Sequence, residues 1–180
     1  MELCSLDQAR LTAAARVLGG QLRVGDVVLL DGPMGAGKTT FARALAEGLE
    51  VDRPQRVRSP TYNLCLHHPG PRPLAHVDLF RLAQDEGPAA PLGAAAFEAL
   101  GLDALVDGAP QWVVVVEWAQ LWAAPPPDHL QVRLELDGLQ MAHRTLIASA
   151  GGSRSKALLG AWRARFPAET GSESSPRSAR

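Results

Sequence analysis

The sequence predicts an α/β fold: a single domain with a mostly parallel sheet flanked by helices and an antiparallel hairpin at its C-terminal edge. Three observations carry this. Residues 27–30 are an unbroken apolar run of the kind found in a strand buried on both faces, and they lead at once into a glycine-rich turn and a helical repeat. Residues 112–116 form a second fully apolar run. Leu130, Val132, Leu134 and Leu136 alternate with polar residues, the period-two pattern of a strand with one wet face.

The elements follow in chain order. Leu11, Ala14, Ala15 and Leu18 recur at helical spacing after caps at Ser5 or Asp7, and Gly19 and Gly20 stop the pattern. After the first strand and its glycine-rich turn, Phe41, Leu45 and Leu49 repeat every four residues, which predicts the second helix. Residues 53–60 hold two prolines and three arginines and read as an exposed loop. Residues 75–80 read as a strand, 87–93 as a flexible connection and 95–106 as a short helix. Residues 144–149 pair with the alternating strand as the edge hairpin, and a last helix runs over 153–166. The domain is therefore expected to span 1–166, with 167–180, rich in Ser, Glu and Arg and lacking apolar periodicity, as a disordered tail.

A chain of 180 residues with 46% apolar content supports one compact core. Its 18 basic and 19 acidic residues leave a net charge of −1, so no global positive field advertises nucleic-acid binding, and no direct DNA binding is expected. The N-terminal residues lack the pattern of an export signal, and no apolar run reaches the length of a membrane span, so a cytoplasmic protein with no membrane association is expected. Cys4 and Cys65 have neither metal-site nor redox spacing and read as buried thiols in a reducing compartment.

Residues 32–39 match G-x-x-x-x-G-K-[ST], the P-loop pattern, and make the predicted domain P-loop NTPase-like. Glycines at such positions let backbone N–H groups turn inward around phosphate oxygens. Lys38 places a compact positive charge on the outer phosphates, and Thr39 offers its hydroxyl to Mg²⁺. The following helix directs its positive end at the same anion. Only two lysines stand against 16 arginines, so a lysine at this position is not background usage. The pattern predicts ATP or ADP as ligand, with Mg²⁺, held by Met34, Gly35, Ala36, Gly37, Lys38, Thr39 and Thr40.

Magnesium and an attacking water need carboxylates beside such a cradle, at the ends of neighbouring apolar strands. Glu117 ends one run and Asp78 another, and both are candidates. His76 and Trp118 carry no chemical role on pattern grounds. Arg53, Arg56 and Arg58 form a local basic cluster that reads equally as a solvated loop or as a contact for phosphate or RNA.

Four segments together resemble one family, the TsaE (YjeE) ATPases of bacterial tRNA threonylcarbamoyladenosine biosynthesis. They are Gly35-Ala36-Gly37-Lys38-Thr39-Thr40, Ser59-Pro60-Thr61-Tyr62, His76-Val77-Asp78-Leu79-Phe80-Arg81 and Glu117-Trp118. The resemblance implies a compact P-loop fold that binds and slowly hydrolyses ATP. It also implies action with the TsaB and TsaD proteins on tRNA adenosine 37, with tRNA met only through the complex. By the family pattern Glu117 joins Thr39 at the metal, and Asp78 works near the γ-phosphate and the attacking water. Lys38, Asp78 and Glu117 then form the catalytic set, Ser59 and Thr61 belong to a switch-like loop, and Asp7 lies near the nucleotide. The chain departs from the family at Pro33-Met34, where Asp-Leu is usual, and at Phe80, where Tyr is usual. A small-molecule kinase on the same cradle and a nucleotide-gated interaction module are the alternatives.

Overall fold

The computed structural model describes residues 1–60, 62–85, 93–107, 109–137 and 142–167. The elements are β1 (Glu2–Leu6), α1 (Gln8–Gly19), β2 (Val27–Asp31), α2 (Lys38–Gly48), β3 (Cys65–His68), β4 (Leu74–Asp78), α3 (Phe80–Asp85), α4 (Ala94–Ala99), β5 (Val113–Glu117), β6 (Leu130–Asp137), β7 (His143–Ala150) and α5 (Ser153–Arg165). The seven strands form one sheet in the order β1-β7-β6-β2-β5-β4-β3. Its centre is parallel, with β6, β2, β5 and β4 running together, while β3 and the β7-β1 pair add antiparallel flanks.

β2, β4 and β5 are buried along their whole length, which is why their sequences are continuous apolar runs rather than alternating ones. Successive side chains still point to opposite faces. Val28, Leu30, Leu74, Val113 and Val115 pack on one face against Leu11 and Leu18 of α1, Phe41 and Leu45 of α2 and Trp162 of α5. Val27, Leu29, Ala75, Val77, Val114 and Val116 pack on the other against Phe97, Leu102 and Trp122. Trp162 is fully buried, stands edge-on to Phe41 at 6.3 Å, and donates its indole N–H to Ala14 O at 2.9 Å.

α1 and α2 approach almost backbone to backbone. A Cβ on Gly19 would lie 2.1 Å from Leu45 O, and one on Gly48 would lie 2.2 Å from Arg16 O. Both helix ends are closed by one side chain, since Arg72 donates to Gly19 O and Leu22 O at 3.0 Å and to Gly48 O at 2.8 Å. A cation at two helix C-termini satisfies orphan carbonyls and complements both dipoles.

Several expectations need correction. The C-terminal hairpin β6-β7 is antiparallel as expected, but β1 covers its outer side and is the true edge. The strand expected over 75–80 ends at Asp78, where Phe80 N turns back to the Asp78 carboxylate at 2.9 Å and opens α3. The helix expected over 95–106 is two pieces, α4 and a 3₁₀ turn over Asp103–Leu105, separated by Gly101 at φ 66°. Cys4 is exposed rather than buried, because an irregularity in β1 between the inward-facing Leu3 and Leu6 leaves both Cys4 and Ser5 outside, while Cys65 is half-buried. The expected connection over 87–93 falls outside the described residues except for Gly93, and the expected tail does so except for Pro167. No helix among the described residues is long and apolar enough to cross a membrane.

Two predictions follow from this packing. Gly48→Ala should lower the urea-unfolding free energy by roughly 1–3 kcal/mol, the usual cost of forcing a methyl into a filled contact, with the m-value unchanged. A neutral result would mean the helices separate without penalty. Burial pushes the Cys65 thiol up to about 11, so at pH 8 only about one molecule in a thousand carries its thiolate. Alkylation at pH 8 should therefore label Cys4 well before Cys65, and equal rates would contradict the burial.

Candidate functional site

The parallel register brings the site together. Leu30 and Asp78 both stand opposite Glu117 on the flanking strands, so the C-terminal ends of β2, β4 and β5 present their polar residues along one edge of the sheet. This is the end at which parallel α/β sheets bind ligands. β2 runs directly into the 32–39 loop. Gly32 sits at φ 139°, and a Cβ there would lie 2.3 Å from Leu134 O, so no other residue fits the turn beside β6. Gly37, at φ 102°, is the N-cap of α2, and no side chain caps that helix. Its first-turn N–H groups therefore lack a side-chain acceptor where an anion would sit.

Lys38 is the first residue of α2 and is buried. Its Nζ donates to Gly32 O at 2.7 Å and Pro33 O at 2.9 Å and lies 3.8 Å from the centroid of the Trp118 ring. Burial lowers its pKa from the ordinary lysine value, while the Glu117, Asp78 and Asp31 carboxylates pull the other way. Trp118 takes the left-handed conformation at φ 59°, which turns the chain at the end of β5 and lays the indole between Lys38 and Phe80, whose ring centroid is 4.8 Å away.

Glu117 is 2% exposed and uses both carboxylate oxygens. Thr39 Oγ1 donates to Oε2 at 2.9 Å, and His76 Nε2 lies 2.9 Å from Oε1. Asp78 is also buried, accepts from Phe80 N through Oδ1, and pairs through Oδ2 with the Ser59 hydroxyl. These groups surround an open cleft of about 380 Å³. Thr39 and Glu117 together offer hard oxygen donors suited to Mg²⁺. Among the described residues no group of three or more His, Cys, Asp or Glu is placed to hold a metal ion by itself.

Comparison with known proteins follows the same segments. A family model described as threonylcarbamoyl adenosine biosynthesis protein TsaE matches residues 5–146. The chain belongs to the TsaE family. The TsaE protein of Mycobacterium tuberculosis strain H37Rv is 42% identical over 130 residues, covering 69% of this chain and 72% of the relative. That of Bacillus subtilis strain 168 is 38% identical over 128 residues, covering 70% and 72%. The crystal structure of Bacillus subtilis YdiB superposes with a TM-score of 0.68 at 26% identity, covering 92% of this chain and 95% of that one. The TsaE match includes every residue of the cleft and stops before α5.

Of the residues expected from sequence, Met34, Gly35, Gly37, Lys38, Thr39, Thr40, Ser59, Asp78 and Glu117 all line the cleft. Ala36 is turned inward and fully buried, contributing only backbone, and its carbonyl accepts from Arg144 at 3.4 Å. Asp7 does not line the cleft: its carboxylate caps α1 by accepting from Arg10 N at 2.7 Å. Thr61 lies outside the described residues. Arg53, Arg56 and Arg58 are all exposed. Sequence reasoning gave His76 no role, yet it holds the second oxygen of Glu117. The available signal was its spacing of two from Asp78, which places both on one face of β4.

Removing either member of the His76–Glu117 pair leaves a buried polar group unsatisfied. His76→Ala, Glu117→Ala and the double variant should therefore be non-additive in urea unfolding, with a coupling energy of about 0.5–3 kcal/mol. Additive losses would mean the two side chains do not support one another.

Proposed function

We propose that this protein binds ATP with Mg²⁺ in the cleft and hydrolyses it slowly. The ATPase serves threonylcarbamoyladenosine modification of tRNA at adenosine 37, in the cytoplasm, together with the TsaB and TsaD proteins. The observation that carries the reading is the Thr39–Glu117 hydrogen bond at 2.9 Å. It sets a hydroxyl and a carboxylate side by side at the start of the helix whose open N-terminus and lysine face the same cleft. Membership of the TsaE family supports the biological setting.

The chain's own groups divide the work. Residues 32–39 form the P-loop, whose backbone N–H groups and uncapped α2 N-terminus receive phosphate oxygens. Lys38, held by two carbonyls of the same loop, exchanges those bonds for the outer phosphates. Thr39 and Glu117 would hold Mg²⁺, which supplies charge neutralisation on the phosphate oxygens. Asp78, fixed by Ser59 and by Phe80 N, orients the attacking water. Ser59 already meets Asp78, while Tyr62 on the same loop is exposed, and a partner that fixes this loop raises turnover above the slow rate of the isolated protein. A nucleotide-gated interaction module is favoured by one observation, the exposure of Met34 on the cleft wall and of Tyr62 three residues beyond Ser59.

Steady-state phosphate release should be slow for the protein alone and rise when TsaB and TsaD are added. Under the stimulated condition Asp78→Asn should lower turnover with nucleotide affinity retained, while Glu117→Gln should raise the Mg²⁺ concentration needed for half-maximal rate. Wild-type rates in both variants would remove the assigned roles, and ATP-dependent partner binding without any stimulated turnover would select the interaction module.

A further inference from the structure

At the opposite end of the sheet from the cleft lies a basic groove. It sits beside the N-terminal ends of β2 and β4, a full strand of about 16 Å from the 32–39 loop. The groove has a volume of about 540 Å³ and is lined by Arg23, Arg72, Arg154 and Arg165, with Asp26 as its one carboxylate. Asp26 is fully engaged: Arg154 Nε lies 2.6 Å from Oδ1, and Arg23 N donates to Oδ2 at 2.6 Å. Among the described residues the groove wall thus carries four guanidinium groups against one carboxylate, and that carboxylate is already paired with Arg154.

The four arginines are not equivalent. Arg72 is turned inward onto the ends of α1 and α2, and its role there is structural, yet its charge faces no carboxylate among the described residues. Arg154 is bound to Asp26 and to Val24 O. The side chains of Arg23 and Arg165 are exposed and make no hydrogen bond or ion pair among the described residues. Such guanidinium groups match phosphate oxygens in a planar, bidentate way. Arg154, Ala157, Ala161 and Arg165 fall on one stripe of α5, with the two alanines leaving the groove open between the two charges. Arg154 and Arg165 are eleven residues apart, about 16 Å of helix, so the positive charge is spread along the groove rather than gathered at one point.

We propose that this groove binds a ligand carrying two or more phosphate groups. The site shares no residue with the cleft, and its α5 wall lies beyond the TsaE match. Exposed guanidinium groups along an open groove act through counterion release, so binding should weaken steeply with salt.

The test uses a labelled short single-stranded RNA and inorganic pyrophosphate as separate probes. Both are measured against the wild-type chain, the Lys38→Ala variant and the same two backgrounds carrying Arg23→Ala with Arg165→Ala. Saturable binding should persist in Lys38→Ala and weaken at least tenfold when the two arginines are replaced. For the RNA, the slope of log affinity against log salt should fall by about 1.4, two phosphate contacts at about 0.7 each. Arg23→Lys with Arg165→Lys should retain part of the binding, and melting temperatures should be unchanged because both side chains are exposed. Tighter RNA binding identifies a phosphodiester backbone, and tighter pyrophosphate binding identifies a free polyphosphate. Absence of saturable binding by both probes, or binding indifferent to the arginine substitutions, overturns the proposal.

Discussion

The buried carboxylate of Glu117 is the constraint on which the site depends. An ionised carboxylate removed from water is costly unless its oxygens are hydrogen-bonded, and here each oxygen has a partner from a different element. Thr39 comes from the first turn of α2, His76 from β4, and Glu117 itself from the last position of β5. The three meet only if β4 and β5 keep their register and the 32–39 loop closes tightly enough to start α2 beside the sheet. A one-residue slip of β5 would send Glu117 to the opposite face, among Val114, Val116 and Phe97.

The same logic runs along the rows of the sheet. On one face β4 reads Leu74, His76, Asp78 and β5 reads Val113, Val115, Glu117. Each row changes from apolar to polar toward the C-terminal end, so one set of strands builds the core beneath α1 and α2 and then the floor of the cleft. Lys38 closes the arrangement from above, its charge spread over two loop carbonyls and the Trp118 ring. Pro33 and Met34 do not disturb this, since the Pro33 carbonyl is one of the two that hold the lysine and Met34 points outward.

What could be read from the sequence was what repeats or what has a fixed local geometry. The runs ending at Leu30 and Val116 are legible because strands buried on both faces must be apolar throughout, and the glycine-rich loop because its spacing has one mechanical purpose. β1 and β3 escaped because they are edge strands of five and four residues with polar or exposed positions, and their apolar count is too low to signal a period. His76 escaped for a different reason. Its value comes from a diagonal contact across two strands 41 residues apart, which no local pattern encodes. The basic groove was illegible for the same cause, since Arg23, Arg72 and Arg165 converge only once α5 has packed on the sheet.

The central claim, that the 32–39 loop and the carboxylates opposite it form a nucleotide site, is tested most directly by calorimetric titration of ATP in the presence of Mg²⁺ into the wild-type chain and Lys38→Ala. The account predicts one saturable site in the wild-type protein and at least a tenfold loss of affinity, about 1.4 kcal/mol, in a variant that still melts cooperatively. Equal affinity in the folded variant would contradict it.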